Sequence, residues 1–372
     1  MQPSSTARLE RVADNAYRAH IPGGALNLWM ERELIRLPEA LDFATRHNPR
    51  RRFLFVSKLL GRHLPTRPKQ MRDAAVALAA ELKASALPEP CVFFGMAETA
   101  TTLGQAVFRE WHRGGGKGLY VDSTRRHTGE PLAFTFSEVH SHAQEHVVHL
   151  PTQEDDPEGL FGKARSIVIV DDEATTGRTA AQLLAAYEHW VGRPVAGHLA
   201  VLVHWRNADA EQLPLCVHSL LAGRFEFMPK GEFDGTIVTS PHATQHVQAP
   251  RGTRHGLASP QTSPWTDVPA GRVLVVGTGE YGFEPLLLAE QIEAAGGDAF
   301  LQATTRSPVA PGGAIGHVRR FPALSGEGYE EFLYNVPDDH AYDRVILCCE
   351  DRLPPPEHPL LALPRLECRL AR

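Results

Sequence analysis

The sequence predicts an α/β protein in which a first domain, built on a doubly wound parallel sheet, is followed by a second, smaller α/β domain. Two patterns lead to this prediction. Short runs of β-branched and aromatic residues alternate with segments of helical periodicity, and a Pro-rich interval divides the chain. Ligands of such sheets bind beyond the carboxyl ends of the strands, so the loops at that edge are the candidates for chemistry.

The first domain is predicted to begin with a helical region that contains residues 28–44. Apolar residues recur with helical spacing over 69–82, which predicts an amphipathic helix. The run 167–170 is continuously β-branched and is expected to be a central buried strand, followed at once by a helix over 180–190. Further strands are expected over 53–56, 91–94, 118–121, 132–136, 195–204 and one or two segments of 216–227, with another helix ending near Arg113.

Between residues 239 and 270 the periodicity fades and prolines recur, which predicts a linker. The linker separates a first domain of residues 1–238 from a second domain of residues 271–372. In the second domain, a strand over 272–276 precedes a Gly-rich turn and a helix that runs through Ala294.

The composition restricts the class of protein. The 372 residues are 42% apolar and 22% charged, and a formal net charge of -6 gives no general attraction to nucleic acid or anionic lipid. No apolar run is as long as a membrane span and no signal-peptide core is found, so we expect a cytoplasmic location without nucleic-acid or membrane partners. The five cysteines show no metal-ligand spacing, which predicts reduced core thiols.

The most informative segment follows the strand over 167–170. Asp171 and Asp172 stand at its end, where two carboxylates can accept hydrogen bonds from neighbouring sugar hydroxyls. The next turn opens a helix, so its backbone N–H groups and the helix dipole favour a phosphate. An ordinary capped turn is the alternative interpretation. The segment suits a ribose 5-phosphate, whose phosphate would lie on Ala174, Thr175, Thr176, Gly177, Arg178 and Thr179.

This segment resembles the phosphoribosyl-pyrophosphate signature of the phosphoribosyltransferases, two acidic residues followed by a short threonine-glycine loop. From about Asn48 to its carboxyl end, the chain resembles the phosphoribosyltransferase of bacterial tellurite-resistance and stress-response clusters, a relative of the orotate phosphoribosyltransferases. The appended domain of that family is named for a Thr-Arg-Ser-Pro motif, found here at residues 305–308. The other segments that carry the resemblance are 53–58, the loop after Gly95, the strand end at Arg125 and residues 140–142.

The resemblance implies a type I phosphoribosyltransferase fold and an Mg²⁺-dependent enzyme that moves a phosphoribosyl group between phosphoribosyl pyrophosphate and a nucleobase-like acceptor. Mg²⁺ would bridge ribose hydroxyls and pyrophosphate, and Asp171 and Asp172 would orient the hydroxyls or contribute to the metal site. The resemblance also implies a role in making a nucleoside-like metabolite linked to stress or tellurite response. A homodimer and partners from the same cluster are compatible with it.

A second anion-binding loop leaves the strand over 91–94 and opens a helix at the same sheet edge. Arg125 and Arg126 follow the next strand and would clamp the departing phosphates, with a solvated strand end as the alternative. Glu98 is unusual in an anion loop and either caps its helix or reaches a water on the metal. The loop expected to hold pyrophosphate consists of Met96, Ala97, Glu98 and Thr99.

Two further pairs of residues keep two interpretations each. Ser57 and Lys58 either approach the substrate base or phosphate, or lie on the surface. His140 and His142 belong to a His-rich loop over 127–149, which forms either a mobile flap over the active site or a transition-metal site.

The second domain resembles a degenerate copy of the first. The first copy has 30 positions from Gly95 to Arg125 at two strand ends, and the second has 29 from Gly277 to Arg306. The second acidic strand end, residues 350–351, is followed by prolines in place of the threonine-glycine loop, so the copy has lost the phosphate cradle. A chance likeness between βαβ units is the alternative.

Three functions are compatible with these patterns. The first is the transferase. The second is a ligand-binding regulator that keeps the phosphate loop without catalysis, although Arg125, Arg126 and the loop after Gly95 count against it. In the third, the second domain acts independently or docks a partner, with Arg306 and Ser307 holding an anion. If it packs on the first domain instead, it would close the active site or recognise the acceptor.

Overall fold

The computed structural model describes residues 8–46, 48, 51–125, 129–137, 145–206, 213–231, 262–324 and 328–371. The helices in this part of the chain are α1 (Leu37–Ala40), α2 (Pro68–Ala84), α3 (Thr101–Arg113), α4 (Leu160–Lys163), α5 (Arg178–Val191) and α6 (Phe283–Ala294), with a 3-10 turn at Pro359–Ala362. Twelve strands precede the linker: β1 (Arg8–Ala13), β2 (Ala16–Ile21), β3 (Gly24–Glu33), β4 (Leu41–Thr45), β5 (Phe53–Ser57), β6 (Cys91–Gly95), β7 (Gly118–Asp122), β8 (Leu132–Ser137), β9 (Glu145–His149), β10 (Ser166–Ala174), β11 (Ala196–Trp205) and β12 (Cys216–Pro229). The strands after it are β13 (Arg272–Gly277), β14 (Asp298–Ala303), β15 (Val318–Pro322), β16 (Glu330–Tyr334), β17 (Arg344–Cys349) and β18 (Leu366–Leu370).

Eight strands form the central sheet, in the order β1-β2-β3-β12-β11-β10-β6-β7. The five strands from β12 to β7 run parallel, and β3, β2 and β1 extend the sheet antiparallel. Val168 and Val170 of β10 pack on one face with residues of α2 and α3, and Ile167 and Ile169 pack on the other face with residues of α5. Since helices cover both faces, the predicted doubly wound parallel sheet is confirmed.

The prediction of an N-terminal helical region over 28–44 is wrong. This region contributes most of β3, the four-residue helix α1 and β4. Leu26, Leu28 and Met30 are buried while the residues between them are partly exposed, which is the period of two of a strand. Pairing of β3 with β12 satisfies its backbone, and that pairing partner lies almost 200 positions away in sequence.

The second domain repeats the topology of the first. Its sheet has the order β14-β13-β17-β18, and the corresponding strands of the central sheet have the order β7-β6-β10-β11. In each copy an antiparallel hairpin, β8–β9 or β15–β16, comes between the second and third strands along the chain. Gly95 lies opposite Asp122 and Val170, and Gly277 lies opposite Ala303 and Cys348. The two domains agree in strand order, in the position of the hairpin and in the register of the glycine. Together with the similar residue spacings in the sequence, this agreement supports an internal repeat.

The two domains share a hydrophobic core. One cluster of buried residues contains Leu78 of α2, Val107 of α3, Val275 of β13 and Leu286 of α6. Of the segment predicted as a linker, residues 262–270 are described, and Trp265 within them is buried in the same cluster. The second domain is therefore packed against the first. In the part of the chain that the structure describes, no helix is long and apolar enough to cross a membrane.

A buried ion pair crosses the domain interface. Arg109 of α3 is 1% exposed and donates two hydrogen bonds of 2.8 Å to the carboxylate of Glu290 on α6. Its Nε donates to Glu110, and its guanidinium lies over the ring of Phe283. The Glu290 carboxylate helps to raise the pKa of Arg109 although burial opposes the shift.

Replacement of Arg109 with methionine should lower the free energy of unfolding by about 3 to 5 kcal/mol, because it removes the buried cation that hydrogen-bonds both carboxylates. Glu290 would keep only the longer contact of 3.6 Å with Arg72, and Glu110 only the exposed Arg113. Urea denaturation of the full chain measures the change. Arg113→Met is the matched control on the same helix, since the exposed Arg113 contacts the same Glu110 and should cost less than about 1 kcal/mol. Similar losses in both variants would show that the interface pair does not stabilise the fold.

Candidate active site

The acidic pair lies at the carboxyl end of β10. Asp171 and Asp172 are both half-buried, and the backbone N–H of Asp172 donates to Oδ1 of Asp171 at 2.9 Å. Burial raises the pKa of Asp171 well above its ordinary value, and the negative charge of Asp172 adds to the shift. Two adjacent carboxylates with this mutual repulsion form a site that favours a cation or hydroxyl donors.

The turn after the pair begins α5. Gly177 precedes this helix with φ 63°, and a Cβ at this position would lie 2.5 Å from Cδ1 of Leu213, so the turn requires glycine. Among the described residues, the backbone N–H groups of Thr175, Thr176 and Gly177 have no hydrogen-bond acceptor, and Thr176 is exposed. The sequence predicted such free donors here, and with the positive end of α5 they can bind an anion.

The loop predicted to bind pyrophosphate connects two strand ends. The backbone N–H of Met96 donates to the carbonyl of Val170 on β10 at 3.0 Å, and that of Ala97 donates to Oγ of Ser123, directly after β7, at 3.0 Å. The peptide bond between Ala97 and Glu98 is cis. The Thr99 hydroxyl donates to Oδ1 of Asp172 at 3.1 Å. The loop therefore contacts both the acidic strand and the strand end that carries Arg125.

Glu98 of this loop pairs with arginines from both domains. Its carboxylate forms an ion pair with Arg306 of the second domain and lies 3.8 Å from Nε of Arg125. It does not cap α3, whose cap residue is Ala100, so the helix-cap interpretation is wrong. The Arg125 side chain is only 15% exposed, so the alternative of a solvated strand end is wrong for this residue.

The Thr-Arg-Ser-Pro segment of the second domain contributes Arg306 and not Ser307 to this contact. Arg306 lies over the ring of Tyr329, and the Glu98 carboxylate raises its pKa even though burial opposes the shift. The backbone of Ser307 instead bonds within its own domain, accepting a hydrogen bond of 2.6 Å from the Tyr334 hydroxyl.

The corresponding loop of the second domain makes the reciprocal contact. Glu280 occupies the position in the second copy that Glu98 occupies in the first, and its Oε2 accepts a hydrogen bond of 2.9 Å from the Thr124 hydroxyl, next to Arg125. Its carbonyl accepts another of 2.9 Å from Thr101. The equivalent loops of the two copies thus face each other across the interface.

Arg62, which no sequence pattern indicated, connects these loops. It is 3% exposed and donates to the carbonyls of Gly279 at 2.6 Å and Thr304 at 2.7 Å in the second domain. It also donates to the carbonyl of Glu98 in the pyrophosphate loop. Burial lowers the pKa of Arg62, and the charges of Glu98, Glu280, Asp172 and Glu331 oppose that shift. No motif marks such a residue, since arginine is usually exposed.

Ser57 and Lys58 lie among the N-terminal elements. Oγ of Ser57 accepts a hydrogen bond from the backbone N–H of Leu59, while Nζ of Lys58 donates to the carbonyl of Pro38 and lies 3.7 Å from Asp42. Lys58 is partly buried and lines a cavity of about 220 Å³. The other lining residues are Leu9, Arg11, Tyr17, Arg36, Pro38, Leu41 and Asp42.

Three of the predicted site residues, Arg126, His140 and His142, lie outside the described residues. The glutamate that follows the acidic pair is a further residue that the sequence did not single out. Glu173 pairs with Arg51 at 2.5 Å, while burial raises its pKa.

Two family models match the sequence. Residues 40–222 match the family described as phosphoribosyl transferase, and residues 247–363 match the TRSP domain, described as C-terminal to that transferase domain. No curated protein matches the sequence. The matches confirm the predicted enzyme class and the order of the two domains.

Several solved structures are similar to the chain. Adenine phosphoribosyl transferase from Trypanosoma brucei, solved with AMP, pyrophosphate and ribose-5-phosphate, is 13% identical to this chain, with a TM-score of 0.37. The match covers 58% of this chain and 86% of that chain. Adenine phosphoribosyltransferase from Rhodothermus marinus is 18% identical, with a TM-score of 0.32 covering 50% and 96%. Orotate phosphoribosyltransferase from Aeropyrum pernix is 20% identical, with a TM-score of 0.29 covering 49% and 87%. Likenesses as remote as these do not identify a substrate.

Proposed function

Because residues 40–222 match the phosphoribosyl transferase family and residues 247–363 match the TRSP domain that follows it, we propose that this chain moves a phosphoribosyl group between phosphoribosyl pyrophosphate and a nucleobase-like acceptor. A base nitrogen forms a bond to C1 of the ribose as the bond from C1 to the pyrophosphate oxygen breaks. The leaving pyrophosphate takes the electron pair.

One observation carries the proposal: three ligand-binding features meet at one edge of the central sheet. The free amides of residues 175–177 suit the 5-phosphate, and Asp171 and Asp172 suit the ribose hydroxyls. The hydroxyl of Thr99 joins the pyrophosphate loop directly to Asp172. This arrangement follows the order of groups along phosphoribosyl pyrophosphate, from 5-phosphate through ribose to pyrophosphate.

The donor set at the strand end fits Mg²⁺. Asp171 and Asp172 offer hard carboxylate oxygens, and their mutual repulsion would be relieved by a cation. Bound Mg²⁺ would neutralise charge on the ribose hydroxyls and the leaving pyrophosphate. In our proposal the two carboxylates orient the hydroxyls or hold the metal through its waters.

The second domain would complete the pyrophosphate side of this site. Arg125 and Arg306 both lie at Glu98, so positive charge from both domains surrounds the pyrophosphate loop. Arg62 donates hydrogen bonds to the Glu98 carbonyl of the pyrophosphate loop and to two carbonyls of the second domain. We therefore propose that Arg62 positions the pyrophosphate loop against the second domain. In this arrangement the TRSP domain closes the active site, which makes its fixed packing against the first domain part of the function.

The identity of the acceptor stays open in this proposal. The resemblance of residues 305–308 and the signature to the family of tellurite-resistance and stress-response clusters supports a nucleoside-like product and partners from such a cluster. A homodimer and the cytoplasmic location remain predictions, as do the assignments of Arg126, His140 and His142.

A pyrophosphate-release assay tests the proposed reaction. The full chain is incubated with Mg²⁺, phosphoribosyl pyrophosphate and each of a panel of purines, pyrimidines and related heterocycles. We expect release with at least one base, loss of release when excess EDTA removes Mg²⁺, and formation of the matching nucleotide. Tight binding of phosphoribosyl pyrophosphate without release for any base would instead support the non-catalytic regulator and contradict the proposal.

A further inference from the structure

A cluster of two imidazoles and a thiol lies on β11 and β12, away from the site described above. Nδ1 of His198 and Nε2 of His218 are 3.1 Å apart, and the two rings stack. Sγ of Cys216 and one nitrogen of each histidine all lie within 4.8 Å of one another. Within the described residues this is the one such group of potential metal ligands.

Strand register brings the three side chains together. His198 lies opposite Cys216 in the parallel ladder between β11 and β12, and His218 follows two residues later on the same face of β12. Since the ladder fixes both backbones, the three side chains are held at one place before any ligand binds. Neither the spacing of the cysteines nor the His-rich loop over 127–149 indicates this set, because its first histidine lies on another strand.

The cluster lies at the end of the sheet opposite the acidic pair. His198, near the start of β11, lies opposite Val168 of β10, so Asp171 and Asp172 come three and four residues later along the signature strand. This spacing is roughly 10 to 13 Å along the strand. A ligand bound here would not contact the reacting atoms.

The surroundings differ for the imidazoles and the thiol. His198 and His218 are 8% and 4% exposed, whereas Cys216, the first residue of β12, is exposed and is not the core thiol that the composition predicted. Burial lowers the pKa of His218, the charge of Glu81 on α2 opposes this shift, and that of Arg32 on β3 adds to it. Burial, together with the neighbouring imidazole, lowers the pKa of His198 to about 4.

We propose that His198, Cys216 and His218 bind a divalent transition metal of the zinc type, with an open fourth position facing solvent at Cys216. A thiolate with two imidazoles is a ligand set that zinc prefers over magnesium. Two nitrogens bound to tetrahedral zinc at about 2.0–2.1 Å lie roughly 3.3 Å apart, close to the observed separation. On binding, the thiol proton passes to solvent, while the ring that carried the shared proton takes one up at its other nitrogen, so both imidazoles stay neutral and one proton is released per metal.

In the alternative interpretation, a hydrogen bond joins the two histidines, and the Cys216 thiol lies nearby without taking part in metal binding. Titration of the reduced, metal-free full chain with Co²⁺ separates the two cases, because a cobalt–thiolate bond gives a charge-transfer absorption that cobalt on carboxylates lacks. We expect this absorption to saturate near one Co²⁺ per chain and to disappear on addition of Zn²⁺. No thiolate absorption would overturn the proposal.

Cys216→Ser should abolish the thiolate absorption and weaken Co²⁺ binding by at least about tenfold. Cys368→Ser is the matched control, because Cys368 is a partly exposed thiol on β18 and should leave the absorption unchanged. Survival of the absorption in Cys216→Ser would contradict the assignment.

A measurement on the unaltered chain avoids any folding defect. Zn²⁺ should slow alkylation of Cys216 by iodoacetamide at least about tenfold, as followed by peptide mass spectrometry, without slowing that of Cys368. Equal rates with and without Zn²⁺ would overturn the proposal. Neither outcome bears on pyrophosphate release, so this proposal and the proposed transferase reaction stand or fall separately.

Discussion

Replacing Asp172 with asparagine should lower kcat/KM for phosphoribosyl transfer by about 10²- to 10³-fold while leaving the fold intact. The charge of this carboxylate serves ribose hydroxyls and Mg²⁺ that only the bound complex supplies, and the loss of one such group typically costs this much. Asparagine keeps an oxygen that can accept the hydrogen bond from Thr99. Kinetics and urea denaturation of the same preparations measure the two effects.

Stability should be unchanged or slightly increased in this variant. After burial, the charge of Asp172 is the largest cause that raises the pKa of Asp171, so removing this charge relieves repulsion in the free protein. Glu350→Gln is the matched control, because Glu350 lies at the corresponding position beyond β17, where the threonine-glycine loop is replaced by prolines. We expect Glu350→Gln to change kcat/KM by less than about twofold. Equal losses of activity and stability in Asp172→Asn would mean that the pair is structural.

Replacing Arg306 with glutamine should lower kcat/KM by about 10- to 100-fold, mainly through a higher KM for phosphoribosyl pyrophosphate. The variant removes the cation that the second domain places on Glu98 and leaves only Arg125, at 3.8 Å, so more of the negative charge would face the incoming pyrophosphate. Steady-state kinetics with phosphoribosyl pyrophosphate as the varied substrate measure the change. Arg320→Gln is the matched control, since Arg320 is an exposed arginine paired with Glu330 within the β15–β16 hairpin.

A second substitution makes this prediction specific to the charge. If Glu98 repels the substrate once Arg306 is gone, Glu98→Gln in the Arg306→Gln background should restore part of the lost kcat/KM. The same change in the unaltered chain should not increase kcat/KM, because Arg306 already balances the charge. Unchanged kinetics in Arg306→Gln, or absence of any recovery in the double variant, would contradict a role of the second domain at the pyrophosphate loop.

The signature could be predicted from sequence because its parts are contiguous. Asp171, Asp172 and the turn through Thr179 lie on one strand, one turn and one helix start, so their local geometry follows from residue order. The doubly wound sheet followed from alternating strands and helices for the same reason, and residue spacing was enough to reveal the repeat.

The remaining features depend on packing between distant segments. Arg306 reaches Glu98 only after the two domains are packed together, and Arg62 reaches its carbonyl from 36 positions earlier in the chain. No motif marks Arg62, and the Thr-Arg-Ser-Pro motif does not reveal what Arg306 contacts. The N-terminal strands were mistaken for a helical region because β3 becomes a strand by pairing with β12, near the opposite end of the domain. In the same way, His198 and Cys216 become neighbours only through the register of β11 with β12.

The central claim is that the turn at residues 175–179 holds the 5-phosphate of a ribose while the acidic pair faces its hydroxyls. A crystal structure of the full chain with ribose 5-phosphate tests it most directly. We expect phosphate oxygens within about 3 Å of the backbone nitrogens of Thr175, Thr176 and Gly177, with two sugar hydroxyls at Asp171 and Asp172. A phosphate bound elsewhere, with those nitrogens bonded to protein atoms, would contradict it.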